Sequence, residues 1–239
     1  LGWCCLTSAP STKKINRIQF SRTVAAGIPM ARPRKEQELD IPRRAVEETI
    51  RLLAQQGDFG VPLTAVAQAV GCTAPALYGH FRNKNALLRA ARDEGFGRLY
   101  NEKFAVFEQM RGDPFGYLRD GSYAYARFAL ENPTLYRLMF SPPPKLGVSD
   151  DPWSSEAGRQ VLSLLLTGLR SSQEHGYLPG ADLQRYGFMF WSTIHGAVSL
   201  NIQNRLLDHA AKWDSTQSVI DALMEMIAAT GPAKHPITS

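Results

Sequence analysis

Apolar residues at helical spacing constrain this chain more than any other feature of its sequence. From residue 43 onward they recur every three or four positions, and short groups of Gly, Pro, Asp and Ser separate the periodic stretches. No stretch shows the alternation of apolar and polar residues that marks a half-buried strand. The sequence therefore predicts an all-α fold.

The breaks between the periodic stretches predict nine helices and one long loop. Gly71 suits the left-handed turn that ends a helix, and the side chains of Thr73 and Asn83 are able to cap the helices that follow them. The Pro-rich segment 141–152 is the long loop. Helices are expected at about residues 42–56, 63–70, 74–81, 83–109, 114–131, 133–140, 154–175, 182–207 and 215–230.

Positive charge is concentrated in the N-terminal part of the chain. Residues 1–100 contain 15 Lys and Arg against 8 Asp and Glu, whereas residues 101–239 contain 12 against 14. The first part carries +7 and the rest −2, so the basicity indicates a polyanionic partner for the N-terminal region. A basic surface that is merely solvated is the alternative that charge alone leaves open.

The ends of the chain and its cysteines suggest an intracellular protein without a metal. Residues 1–29 lack a sustained apolar period and are expected to be disordered or to precede the native start, because a basic start follows at Met30. Cys4, Cys5 and Cys72 show no zinc-ligand spacing, and the longest apolar run, residues 161–169, is too short for a membrane span. We expect a cytoplasmic protein with no cofactor and no membrane association.

The third predicted helix has one buried side and one side made of small residues. On a helical wheel, Leu77 and Phe81 define the buried side. Gly79 lies opposite, with Pro75 and Ala76 beside it. A face of such small residues approaches the base edges of a DNA major groove closely.

Two polar rings flank that small face, and a lysine follows it. Tyr78 and His80 project to either side, where the phosphate walls of the groove would lie. Lys84 begins the fourth helix, where a positive charge opposes the helix dipole and weakly favours a nearby polyanion. Each of the three residues also has a purely structural explanation. Tyr78 would be a half-buried aromatic residue, His80 a surface histidine and Lys84 a solvated charge.

These residues carry a resemblance to a known family. The pattern Val66-Ala67 to Gly71-Cys72-Thr73, followed by Ala76-Leu77-Tyr78-x-His80-Phe81-x-x-Lys84-x-x-Leu87-Leu88, resembles the helix-turn-helix of TetR-family regulators over residues 43–92. The resemblance implies that Thr73, Tyr78, His80 and Lys84 contact the DNA backbone. It also implies that Pro75, Ala76 and Gly79 face the bases, with Ala74 in the same interface.

Two departures from the family pattern affect the expected base recognition. Val61-Pro62 stands where the family often has a threonine pair, which puts the capping of the second helix in doubt. Gly79 stands where a larger polar residue is common. Recognition is therefore expected to use thymine methyl groups, groove shape and arm residues, namely Arg32, Arg34, Arg43 and Arg44.

The C-terminal part resembles a ligand-binding domain. Asn132-Pro133-x-Leu135-Tyr136-Arg137-Leu138-Met139-Phe140 and Trp191-x-x-x-His195-Gly196 resemble the Trp-His-Gly group of the family. The surplus of aromatic and Met residues predicts a mainly apolar pocket. Its expected lining is Phe128, Tyr136, Met139, Trp191 and His195. A core histidine beside a packing tryptophan is the alternative.

The resemblance also implies a homodimer. Family members pair through their last two long helices, which are residues 182–207 and 215–230 here. The apolar stripe expected at this interface is Leu200, Leu206, Leu207, Val219, Ile220, Leu223, Met224 and Ile227. The alternative is that these residues close the core of a single chain.

Four segments and one function follow from these patterns. Residues 1–36 are a disordered extension and basic arm, 37–92 the helix-turn-helix domain, 93–230 the ligand-binding and dimerisation domain, and 231–239 a disordered tail. We expect a sequence-specific transcriptional regulator, a repressor that binds a pseudo-palindromic operator as a dimer and responds to a small apolar or amphipathic ligand. A small-molecule-binding or adaptor protein that keeps the helix-turn-helix as scaffold is the alternative.

An enzyme is not expected from this sequence. It contains no GxSxG elbow, P-loop, dinucleotide glycine pattern, HExxH motif or paired-carboxylate cluster. No catalytic residue is therefore assigned.

Overall fold

Residues 40–205 and 212–232 are described by the structure, which is a computed structural model. They contain nine α-helices and no strand, which confirms the predicted all-α fold. Two short 3-10 helices, Pro144–Leu146 and Pro152–Ser154, lie in the long loop. The α-helices are α1 (Ile41–Gln56), α2 (Leu63–Val70), α3 (Ala74–His80), α4 (Lys84–Gln109), α5 (Pro114–Glu131), α6 (Pro133–Phe140), α7 (Glu156–Glu174), α8 (Leu183–Ile202) and α9 (Lys212–Ala228).

Local capping explains most of these boundaries. Gly71 has a positive φ of 76°, and its left-handed conformation ends α2 as the sequence predicts. The Thr73 hydroxyl accepts from the Ala76 amide at 3.3 Å, and Asn83 Oδ1 accepts from the Ala86 amide at 2.9 Å. Helix α2 has no side-chain cap because Pro62 occupies its N-cap position, so the doubt about its capping is confirmed.

Helix α8 ends five residues earlier than the sequence predicts. The helix stops at Ile202, and the prediction that it continues to residue 207 is wrong for residues 203–205. Asn204 adopts a left-handed conformation with φ of 55°, and the Arg205 amide donates to the Leu200 carbonyl at 2.8 Å. This turn satisfies a terminal carbonyl and leads the chain out of the helix. Leu206 and Leu207 lie outside the described residues.

The neighbouring helices differ from the prediction by two or three residues. Helix α9 begins at Lys212 and ends at Ala228, against the predicted residues 215–230. Helix α7 begins at Glu156 because Ser155, not an earlier residue, is its cap: the Ser155 hydroxyl accepts from the Gly158 amide at 3.1 Å. The preceding 3-10 turn accounts for the earlier start expected from the sequence.

Helix α4 is the element around which the others are arranged. It is 26 residues long and follows α3 after only a three-residue break. It packs against α1 on one side and against α5, α6 and α7 on the other. The domain boundary predicted at residue 92 therefore falls inside a continuous helix, with no loop to separate the two parts.

Two arginines of α4 fasten the long loop. Arg89 donates to the Gly147 carbonyl at 3.0 Å, and Arg92 donates to the Asp151 carbonyl at 2.7 Å. Arg92 is 3% exposed and its guanidinium lies 5.6 Å from the centroid of the Phe96 ring. A buried cation needs such partners because burial removes its hydration. The loop is therefore held to α4 by charge-assisted hydrogen bonds.

A second buried cation lies between α4 and α5. Lys103 is 7% exposed, and its Nζ donates to the carbonyl of Gly121 at 3.1 Å. Burial lowers the pKa of Lys103 to about 8. Nearby, a Cβ on Gly168 would lie 2.4 Å from the Tyr117 ring, so α5 and α7 are in close contact at that glycine. Nothing in the sequence pattern indicated that Lys103 would be buried here.

We expect Lys103→Met to stabilise the protein near neutral pH. The folded-state pKa is about 8, while the ordinary value, which applies to the unfolded chain, is 10.5. The unfolded chain therefore binds more protons between these values, and wild-type stability rises with pH across that window. The substitution should raise the free energy of unfolding by about 2–3 kcal/mol at pH 7.

Urea unfolding of both proteins at about pH 7 and about pH 9.5 measures this difference. The gain should shrink at the higher pH, because the folded lysine is then neutral and the wild type has already regained the stability that burying its charge costs at pH 7. A gain of the same size at both pH values would show that shape, not charge, distinguishes the variant.

Candidate nucleic-acid interface and ligand cleft

Helix α3 presents the face that the helical wheel predicts. Leu77 is 1% exposed and anchors the helix, and Phe81 is buried just beyond its end. On the other side, Tyr78 is 52% exposed. The remaining predicted DNA-contacting residues of this segment lie at the surface: Thr73, Pro75, Gly79 and His80 are exposed, while Ala74 and Ala76 are half-buried. The geometry thus brings the predicted contact residues of this segment to one helix and its N-cap.

The small face of α3 is sterically open. A Cβ added to Gly79 would have no heavy atom within 4 Å, leaving aside its chain neighbours and its own helix backbone. A side chain at Gly79 therefore starts in open space, with no neighbouring atom against its Cβ. This position is suited to a substitution that changes only what the helix presents to a partner.

Lys84 has a structural partner that the sequence did not indicate. Its Nζ donates to the Phe59 carbonyl at 2.7 Å, in the loop between α1 and α2. Partial burial lowers the pKa of Lys84, although nearby Asp58 opposes that shift. The lysine is half-buried rather than fully presented to solvent. Its ammonium joins the loop to the start of α4.

The predicted arm residues are placed differently from one another. Arg43 is exposed, but it forms ion pairs with Asp40 at 2.8 Å and with Glu47 at 2.6 Å. Arg44 is half-buried and has no ion pair within the described residues. Arg32 and Arg34 lie outside the described residues. Nearby carboxylates therefore partly offset the charge of Arg43.

A cluster of two hydroxyls and an imidazole lies between α5, α6 and α8. The hydroxyls of Tyr125 and Tyr136 are 2.8 Å apart. They lie 3.0 Å and 2.6 Å, respectively, from Nδ1 of His195. Burial raises the pKa of both tyrosines and lowers that of His195, so all three groups are neutral near pH 7. His195 Nδ1 accepts a hydrogen bond from a tyrosine hydroxyl when the ring proton is on Nε2, and donates one when the proton is on Nδ1.

Aromatic rings surround this cluster. The His195 ring lies 5.0 Å from the Trp191 ring and 5.1 Å from the Phe140 ring, and Trp153 lies 5.3 Å from Trp191. Nε1 of Trp191 is buried without a hydrogen-bond partner among the described residues. The predicted Trp191 and His195 wall is therefore formed together with Phe140 and Trp153, which the sequence did not single out.

The other two residues predicted for the pocket are deep in the core. Phe128 is 1% exposed and Met139 is 0% exposed. The sulfur of Met139 would lie 2.8 Å from a Cβ on Gly95, so this side chain fills the contact between α6 and α4. Of the five predicted residues, the structure brings Tyr136, Trp191 and His195 together.

A cleft adjoins the cluster on the side of Tyr136. Its volume is about 330 Å³, near the lower end of the range for ligand pockets. Arginine, serine and glutamine side chains supply its polar groups. The lining residues are Tyr136, Arg137, Ser141, Ser199, Ile202 and Gln203.

Helices α8 and α9 leave apolar side chains exposed. Phe188 is 68% exposed, Leu200 48%, Met189 37% and Met226 64%. Half of the stripe predicted for the dimer interface is instead buried within the single chain: Ile220, Leu223, Met224 and Ile227 are at most 5% exposed. Val219 is half-buried. The prediction of these four residues as interface residues is wrong, because α9 uses them to pack on α8 and α5.

The described residues also bear on membrane insertion and metal binding. Among helices within residues 40–205 and 212–232, none combines the length and the hydropathy required to cross a membrane. In the same residues, no three or more His, Cys, Asp or Glu side chains are grouped as ligands for a metal ion.

Two family models match the chain. The model of bacterial regulatory proteins of the tetR family matches residues 45–91, and that of the tetracyclin repressor-like C-terminal domain matches residues 118–227. The HTH-type transcriptional regulator AcrR of Shigella flexneri is 32% identical over 94 residues. This match covers 38% of the chain and only 42% of AcrR.

Solved structures share the fold over most of the chain. A protein of unknown function from Rhodococcus sp. RHA1 is 24% identical with a TM-score of 0.66, covering 79% of this chain and 95% of that one. The TetR family transcriptional regulator PfmR from Thermus thermophilus is 23% identical with a TM-score of 0.54, covering 80% and 100%. At these identities the likeness shows the fold alone.

The matched segments coincide with the two groups of helices that α4 joins. The first runs from α1 through α3 into α4, and the second runs from α5 into α9. The first contains the exposed face of α3, and the second contains the hydroxyl–imidazole cluster. The chain therefore belongs to the TetR family of transcriptional regulators.

Proposed function

We propose that this regulator is a ligand-responsive repressor that binds a pseudo-palindromic DNA operator as a dimer. The observation that carries the proposal is the exposed face of α3, held outward by the buried Leu77. Tyr78, His80 and the Thr73 cap contact phosphates, while Pro75, Ala76 and Gly79 face the base edges. The excess of +7 in residues 1–100 supports a polyanionic partner on this side.

Lys84 has two roles in this proposal. One N–H of its ammonium holds the Phe59 carbonyl, which leaves two donors. At the N-terminus of α4, these lie beside free backbone amides that favour a phosphate. If Lys84→Ala weakened DNA binding, the cause could be the lost phosphate contact or the loosened loop, and the measurement would not separate them. Tyr78 is therefore the better position for a test.

DNA binding should be strongly salt-dependent. Each phosphate neutralised by Lys or Arg releases counterions, so log K should fall linearly as log salt rises. For about six phosphate contacts per dimer, the affinity should fall about 10³-fold between about 50 and 200 mM salt. Fluorescence anisotropy with a duplex selected by the purified protein measures the slope. Affinity that stays constant over this range would contradict the proposed interface.

Two substitutions on α3 should have different effects. Tyr78→Phe removes a hydroxyl–phosphate hydrogen bond and should weaken binding about tenfold for every sequence alike. Gly79→Asn adds an amide that reads adenine, so it should change the preferred sequence while the fold is kept. Selection of bound duplexes from a random pool, followed by affinity measurement, separates the two effects.

Tyr186→Phe on α8 is the matched control for the tyrosine substitution. It should leave the DNA affinity unchanged, because α8 lies outside the proposed DNA interface. If Tyr78→Phe changed the preference at one base pair while sparing affinity elsewhere, Tyr78 would be a base reader and its assigned role would be wrong.

The exposed apolar residues of α8 and α9 support the dimer. Phe188 and Leu200 on α8, and Met226 on α9, each expose apolar surface to water. A two-fold partner that presents the same surface would cover it. This interface differs from the sequence prediction in using the outward side of α9, since the inward side is already buried.

Charge on this surface should separate the subunits. Phe188→Asp combined with Leu200→Asp would bury carboxylates in the dimer, which is costly without a partner charge. The expected result is a monomer with a helical spectrum like that of the wild type. Phe104→Asp, which changes a partly exposed phenylalanine of α4, is the matched control and should remain dimeric. Sedimentation of all three proteins measures the mass, and a double variant that stays dimeric would refute this interface.

Ligand response requires a site whose occupation favours one arrangement of the dimer. The hydroxyl–imidazole cluster and the adjoining cleft support such a site, because hydrogen-bonding side chains lie there beside the apolar surface of aromatic rings and Ile202. The ligand releases DNA only if it binds better to a dimer whose reading helices are not about 34 Å apart. Coupling is then reciprocal, so operator DNA weakens ligand binding by the same factor.

A further inference from the structure

Arg137 links the cleft to the helix-turn-helix. It lies on α6, is exposed and lines the cleft. Its guanidinium carbon also lies 5.3 Å from the centroid of the Phe59 ring, within the range of a cation–π contact. In the part of the chain that the structure describes, no carboxylate forms an ion pair with Arg137. The charge of Arg137 is thus available to an anion.

Phe59 is the anchor of the loop between α1 and α2. It is 7% exposed, whereas its neighbours Gly57, Asp58 and Gly60 are exposed. Its carbonyl accepts from Lys84 Nζ at 2.7 Å, and Lys84 begins α4 directly after the segment that holds α3. One residue is therefore held through its ring by α6 and through its backbone by α4.

The lining of the cleft suits an anionic head with an apolar tail. Arg137, Ser141, Ser199 and Gln203 supply hydrogen-bond donors, and no acidic side chain is among the lining residues. The Tyr136 ring and Ile202 supply apolar surface. A guanidinium recognises a carboxylate through two parallel hydrogen bonds, a geometry that alcohols and amines do not offer.

We propose that this cleft binds a small anionic amphipathic molecule, a carboxylate with an aliphatic tail, through Arg137, and that the same arginine transmits its presence to the DNA-binding helices through Phe59. The inference rests on the proposed function, since it names the ligand class and the coupling contact of that regulator. A guanidinium paired with a carboxylate is drawn from the ring face it occupied. The loop between α1 and α2 then loses one of its two attachments.

Ligand class is tested with three probes of equal chain length, namely decanoate, decanol and decylamine. Binding to the full-length protein is followed by calorimetry and by tryptophan fluorescence below the micellar concentration. Decanoate should bind more tightly than decanol, and decylamine should bind least well.

Arg137→Gln should weaken decanoate binding about tenfold or more and leave decanol binding unchanged. The matched control Arg127→Gln, an exposed arginine on α5 outside the cleft, should bind all three probes as the wild type does.

Equal binding of the three probes, or no binding of decanoate, would overturn the assignment of the ligand class. Unchanged decanoate binding in Arg137→Gln would overturn the role of Arg137. These measurements use the protein alone, so they stand whether or not the protein binds DNA.

Coupling is tested with Phe59→Leu, which keeps an apolar side chain and the backbone carbonyl but removes the ring face. In the wild type, saturating decanoate should lower the affinity for selected DNA about 5- to 100-fold. In Phe59→Leu, decanoate should bind as before but lower DNA affinity less than twofold. An equal loss of DNA affinity in wild type and variant would show that the coupling does not pass through Phe59.

The two proposals fail in different ways. If the protein without ligand binds no duplex, the proposed repressor function fails, while calorimetry still decides the ligand class. If DNA binding is normal and salt-dependent but decanoate neither binds nor changes it, only the inference about the cleft is overturned.

Discussion

Helix α4 has to bury apolar side chains against two groups of helices at once, and the rest of the fold depends on that double contact. Its Leu87, Leu88, Ala91, Phe96 and Leu99 are all at most 2% exposed. They face α1 on one side and α5 to α7 on the other, so the helix-turn-helix shares a core with the helices of the C-terminal part. A helix of 26 residues is about 39 Å long. The two groups of helices are consequently joined through packing against one helix rather than through a linker.

Features that depend on neighbouring residues were predictable from the sequence. Periodicity and capping residues located all nine helices of the described residues, and the wheel of α3 correctly separated buried Leu77 from exposed Tyr78. Contacts between distant residues were not predictable. Lys84 meets Phe59 across 25 positions, and Tyr125 meets His195 across 70. Helical spacing reveals which residues share a face, but it carries no information on which other helix covers that face. The same limitation explains Ile220 and Leu223, whose spacing suits a dimer interface and a core equally well.

Buried polar groups in this protein occur where separate helices or loops are joined. Arg92 holds the long loop to α4, Lys103 joins α4 to α5, and the Tyr136 hydroxyl joins α6 to His195 of α8. Each group loses hydration on folding, and one or two hydrogen bonds offset only part of that cost. Apolar substitutes would therefore give more stability. The polar groups instead make the packing specific, because a hydrogen bond is satisfied in one arrangement of the two elements and broken in others.

The position of the cleft on α8 suggests how a bound ligand would favour one arrangement of the helices over another. Ile194 and Val198 form the buried side of this helix, while Leu200 is on the exposed side that the proposed dimer covers. His195 and Ser199 lie on the shoulder between these two sides, so a ligand in the cleft contacts the helix that also carries the interface. A rotation of about 5° at one end of a rod about 39 Å long moves its other end by about 3 Å. In the proposed dimer, two reading helices match half-sites about 34 Å apart, so a displacement of this size on each subunit would change the spacing that DNA binding needs. In this proposal a small change at α6 and α8 would reach the first three helices by two routes, the packing of α4 and the contact of Arg137 with Phe59.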